Sequence, residues 1–151
     1  MTQSLSIFLS IHVFIGVTGI IASYATLIWL FKRNIPIRLL KISSLTAFIA
    51  YIATWLTGGY YYVLYYGGSV KPIIKSGPTP WAHSIIMEVK EHIFLFLPVL
   101  AFVILLVIWL KGNSLEKNKP LRNALALVVS ITLLIAVLMA LGGIVISGAV
   151  R

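Results

Sequence analysis

Apolar residues run through this chain in four long blocks separated by short polar stretches, covering roughly residues 5–31, 42–66, 82–110 and 123–150. Each block exceeds the ~20 mostly apolar residues that a helix needs to cross a bilayer core. The pattern predicts an all-α integral membrane protein, with residues 1–151 forming one domain built as a four-transmembrane-helix bundle.

Composition supports the same class. Of 151 residues, 60% are hydrophobic and 10% charged, against about 25% charged in ordinary soluble domains. The net charge of +9 does not point to nucleic acid, because the basic residues flank the apolar blocks. Lys32, Arg33, Arg38 and Lys41 follow the first block, and Lys111, Lys117, Lys119 and Arg122 follow the third. By the positive-inside rule both of these loops face the cytoplasm and both termini lie on the extracytoplasmic side, in a multi-pass protein of a prokaryotic cytoplasmic membrane. The opening MTQSLS has no basic residue and its apolar run is too long for a signal peptide, so the first block is expected to stay as helix one. The stretch GGSVKPIIKSGPTP, with Lys71 and Lys75, reads as a turn-rich outer connector. The absence of cysteine rules out disulfides and thiolate metal sites, and no phosphate-loop, dinucleotide or zinc-protease motif is found.

The scarce polar residues share a level. Counting upward from the basic ends at ~1.5 Å per residue puts His12, Tyr60, His92 and Leu141 about 27–29 Å up, near the outer edge of a ~30 Å apolar core. Small residues mark the faces on which membrane helices pack. His12 is in line with Gly16, Gly19 and Ser23, which turns it into the bundle. Helix two has a similar stripe in Thr46, Ala50, Thr54, Gly58 and Tyr61, and helix four has one in Ala136, Ala140, Gly143 and Ser147. In helix three, Glu88 and His92 are one turn apart, with His83 and Glu91 on an adjoining face. Pro98 is expected to kink that helix and to deprive the Phe94 carbonyl of its usual donor.

Two imidazoles at one level on different helices, with glycines in the other walls, suit a haem iron ligated from both sides by His12 and His92. His83 is the substitute if helix three is rotated. Lys71, Lys75, Lys90 and Arg151 lie near that end and suit pairing with haem propionates, as they also suit lipid head groups. Tyr61 or Tyr65, from the tyrosine-rich GGYYYVLYYGG that otherwise reads as an interfacial aromatic belt, is placed to hydrogen-bond a ligand carboxylate.

The stretch IHVFIGVTGI, an inward histidine followed by small residues, resembles the pattern of small four-helix membrane cytochromes of the b type. That resemblance covers the helix count and His12, with His92 as the partner on helix three. It implies haem b held by two histidines and electron exchange with a quinone or an extracytoplasmic redox protein. The chain departs from the family pattern in having no second histidine pair nearer the inner side, so the resemblance implies a single outer haem.

Two other chemistries use the same residues. His12, His92 and Glu88 make a two-histidine, one-carboxylate set suited to non-haem iron, zinc or copper, with His83 or Glu91 in support. A proton relay through Glu88, Glu91 and His92 lacks an acidic partner in the inner half of any helix. A non-catalytic assembly subunit, or a homodimer formed through the small-residue faces, is the remaining reading.

Overall fold

The computed structural model describes residues 3–150, with side chains from residue 7 onward. Its helices are α1 (Gln3–Phe31), α2 (Ile37–Tyr61), α3 (Lys71–Ser76), α4 (Glu88–Ile93), α5 (Phe96–Lys111) and α6 (Lys119–Gly148). Tyr62–Val70 and Ala82–Met87 are π-helical, so α2 runs on into α3 and α4 runs on into α5 as two long rods. Four helical stretches, Ile7–Phe31, Ile37–Ser76, Ala82–Ser114 and Lys119–Gly148, are long and apolar enough to cross a membrane.

The rods close into a ring. The α1–α2 pairing is the most extensive, α2 also packs on α5, α5 on α6, and α6 back on α1. One end carries the basic loops after Phe31 and Lys111. The other carries Tyr60, Tyr61, Tyr62, Tyr65 and Tyr66, both π segments, the start of α1 and the end of α6, and is called the tyrosine end below.

Small residues make the α1–α2 seam close. A Cβ on Gly19 would lie 2.8 Å from Cε1 of Tyr51 and 3.3 Å from Cβ of Ala50, so glycine is needed for the Tyr51 ring to lie across α1. That ring is buried, and its hydroxyl is 2.8 Å from Ser23 Oγ. Near the basic end Leu30, Ile35, Leu40, Ile104, Ile108, Leu115, Leu125 and Val129 form the largest apolar cluster. Glu116 crosses between the two basic-end loops there, its Oε1 accepting from the Ile35 backbone N–H at 2.7 Å.

Three expectations change. The second rod continues to Ser76, so Lys71 and Lys75 sit on a helix and the connector shrinks to the few residues before Ala82. Among the described residues no glycine takes a positive φ, so Gly67 and Gly68 continue the helix, and Pro72 lies just past the junction where the π segment gives way to α3. The last helix begins at Lys119, because Asn118 Oδ1 accepts from the Leu121 N–H at 3.1 Å and Pro120 sits in the first turn. Finally, Ala140 and Ser147 are exposed. The buried face of α6 runs through Leu125, Ala126, Val129, Thr132, Ala136, Met139 and Ile146.

Candidate functional site

At the tyrosine end the two π segments face each other. With i→i+5 bonding each turn takes in more residues, so side chains four apart lie more nearly one above the other. Tyr62 and Tyr66 accordingly stack with centroids 5.2 Å apart and planes 20° apart, and Tyr61 meets Tyr65 at 5.4 Å. Tyr66 is thereby turned inward onto His83. Both residues are 2% exposed, and the Tyr66 hydroxyl is 3.0 Å from His83 Nδ1.

His83 is held from its own side by the turn after Pro80, whose carbonyl accepts from the His83 N–H at 3.1 Å. Its Nε2 lies 3.8 Å from Glu88 Oε1, and the Glu88 side chain is 48% exposed. A neutral ring with hydrogen on Nε2 lets Tyr66 donate to Nδ1 and leaves Nε2–H on the side of the Glu88 carboxylate, which at 3.8 Å is too far for a direct hydrogen bond. Buried phenol, buried imidazole and exposed carboxylate thus form one line from the interior to the surface. Glu91 stands beside it, facing the Tyr62 phenol, with its Oε1 buried and without a hydrogen-bond partner among the described residues. Lys71 and Lys75 are within electrostatic reach of His83.

His12 occupies a separate niche. Its Nδ1 lies 3.0 Å from the Thr54 carbonyl oxygen and 3.5 Å from Thr57 Oγ1. A carbonyl can only accept, so Nδ1 carries the hydrogen and Nε2 keeps its lone pair. That is the arrangement of a metal-bound histidine, whose other nitrogen donates to a carbonyl. Gly58 makes the niche, since a Cβ there would fall 2.6 Å from His12 Cε1. Across from it stands Lys90, within electrostatic reach of His12 and with Nζ 3.1 Å from where a Gly143 Cβ would be.

His92 is not brought to His12. It is exposed, and its Nδ1 donates to the Glu88 carbonyl of its own helix at 2.7 Å. Lys90 takes the inward position, and two residues further on the chain has turned about 200°. The physical reason lies at both ends of α4. The π segment ahead of Glu88 resets the helical phase, and behind it Pro98 supplies no N–H, so the Phe94 carbonyl is met by the Leu97 N–H at 3.1 Å in a tighter turn.

The residues of the non-haem metal set are likewise held apart here. Glu88 pairs with His83, His92 faces outward and His12 lies in its own niche, so no three His, Asp or Glu side chains converge for an ion among the described residues. A bis-histidine haem between His12 and His92 would need α4 turned so that His92 takes the place of Lys90. The spaces left by Gly58, Gly142 and Gly143 are filled by His12, Ile86 and Lys90 of the chain itself. Tyr61 packs on Tyr65, and Arg151 lies outside the described residues. Comparison of the chain with protein-family models, with curated proteins and with solved structures gives no match.

Proposed function

We propose that the protein is a multi-pass membrane protein that exchanges electrons and protons with a quinone at its tyrosine end, on the extracytoplasmic side of a prokaryotic cytoplasmic membrane. The observation that carries this reading is the buried Tyr66–His83 pair leading to the exposed Glu88. A quinol that becomes a quinone releases two protons and two electrons. Each proton needs a base at the oxygen it leaves and an exit to water, and the two electrons pass one at a time to two equivalents of an extracytoplasmic one-electron carrier. Histidine and carboxylate in line supply the base and the exit, and the aromatic walls at the edge of the apolar rods suit a flat ring whose tail stays in lipid.

Titration of the purified protein with a short-chain naphthoquinone, followed by quenching of Trp81 two residues from His83, tests this. Saturable quenching is expected, weakened about tenfold or more in Tyr66→Phe and His83→Ala. Quenching that never saturates, or that both variants leave unchanged, rejects the site.

A second reading is haem b binding with His12 as one axial ligand, favoured by the Nδ1–Thr54 bond that leaves Nε2 free. It requires α4 to turn so that His92 replaces Lys90 beside His12. A Soret band in the purified protein that is lost in both His12→Ala and His92→Ala would establish it, and a spectrum without one leaves the quinone reading alone.

A further inference from the structure

Four hydroxyl side chains converge on a small enclosed cavity between the mid-plane of the bundle and its basic end. Ser23 and Thr26 come from α1, Ser44 from α2 and Thr132 from α6, with Ala47, Ala101, Ile104 and Val129 completing the walls. The cavity measures about 10 Å³, room for one water and little more. None of the four hydroxyl residues is more than 4% exposed.

The hydrogens of Thr26, Ser44 and Thr132 are already committed. Thr132 donates to the Val128 carbonyl at 2.8 Å and Ser44 to the Lys41 carbonyl at 3.0 Å. Thr26 donates within its immediate surroundings, with the Ala22 carbonyl and Ser43 Oγ both at 2.8 Å. Ser23 shares its bond with the Tyr51 hydroxyl at 2.8 Å. A hydroxyl oxygen that has donated still holds lone pairs, so the cavity is lined by acceptors. It therefore suits an occupant that donates hydrogen bonds. A bare cation meets the same oxygens but no compensating carboxylate, because Glu88 and Glu91 belong to the tyrosine end and Glu116 to the basic-end loops. An uncompensated charge in such a place costs several kcal/mol.

We propose that this cavity holds a single water molecule that donates its two hydrogens to two of the four hydroxyl oxygens and so ties together the helices that carry them. Three of the four hydroxyl hydrogens around it are held by neighbouring acceptors, so the water acts as a clasp between helices.

A structure of the full chain in lipid, at a resolution that shows ordered waters, decides the matter. One density peak within hydrogen-bond distance of at least two of the four oxygens is expected, and an empty cavity overturns the proposal. Two thermal measurements check the same point in detergent. Thr132→Val, equal in shape but unable to accept, lowers the melting temperature if a water is held, and leaves it unchanged or raises it if the cavity is dry. Replacing sodium by choline at equal ionic strength leaves the wild-type melting temperature unchanged if the occupant is water, whereas a sodium-dependent melting temperature assigns the cavity to a cation and overturns the proposal.

Discussion

Gly58 and Gly59 are neighbours in sequence with opposite surroundings, and the difference makes a test. A Cβ on Gly58 would strike the His12 ring at 2.6 Å, whereas one on Gly59 meets nothing within 4 Å. The ring cannot simply swing away, because Nδ1 is held by the Thr54 carbonyl. Gly58→Ala is therefore expected to lower stability by about 1–3 kcal/mol, the usual cost of overpacking, and Gly59→Ala to leave it unchanged or slightly raised, both read as melting temperatures in detergent. Glu116 offers a second test at this scale. Its carboxylate accepts a 2.7 Å bond from the Ile35 N–H and joins the two basic-end loops. Its loss in Glu116→Ala is expected to cost about 1.5–3 kcal/mol, the range of bonds to charged groups, and Glu116→Gln, which keeps an acceptor, should recover part of it.

At the scale of the element, the sequence announced the rods but not their phase. Four apolar blocks were enough to place four long helices, and the line His12, Gly16, Gly19, Ser23 was enough to turn α1 onto α2. Helix three could not be read in the same way, since a wheel drawn through Glu88 and His92 assumes unbroken α geometry. Two irregularities, the π segment Ala82–Met87 and the tight turn at Phe94, rotate α4 so that Lys90 faces His12 and Glu88 faces His83. Pro98 signalled the second, but no residue pattern signals a π turn. Tyr66 was missed for the same reason, because its π segment brings it round to His83 in place of Tyr61 or Tyr65. The start of α6 was legible and overlooked. Asn118 followed closely by Pro120 is a helix-start signature, and its Oδ1 caps the Leu121 N–H. Asn118→Ala is expected to cost about 1 kcal/mol, measurable as a lower melting temperature, while Asn118→Asp or Asn118→Ser should retain most of the cap.

At the scale of the whole molecule, an up-and-down ring of four rods puts both chain ends, both π segments and the Tyr66–His83–Glu88 line at one end and two basic loops at the other. The orientation proposed above rests on charge. Lys32, Arg33, Arg38 and Lys41 sit in or beside one basic-end loop, and Lys111, Lys117, Lys119 and Arg122 in or beside the next. Moving such a concentration of positive charge across a membrane is strongly disfavoured, whereas the tyrosine-end connector carries few charges. The chain has no cysteine, so a single introduced thiol reports its own side without background. Ser76 and Asn113 are both exposed and lie at opposite ends of the rods. In intact cells a membrane-impermeant maleimide is expected to label Ser76→Cys, and to label Asn113→Cys only after the cells are opened. The reverse labelling would place the Tyr66–His83 site on the cytoplasmic side. Protons released there would then stay inside the cell, and a quinol oxidised at this site could not contribute to a gradient across the membrane.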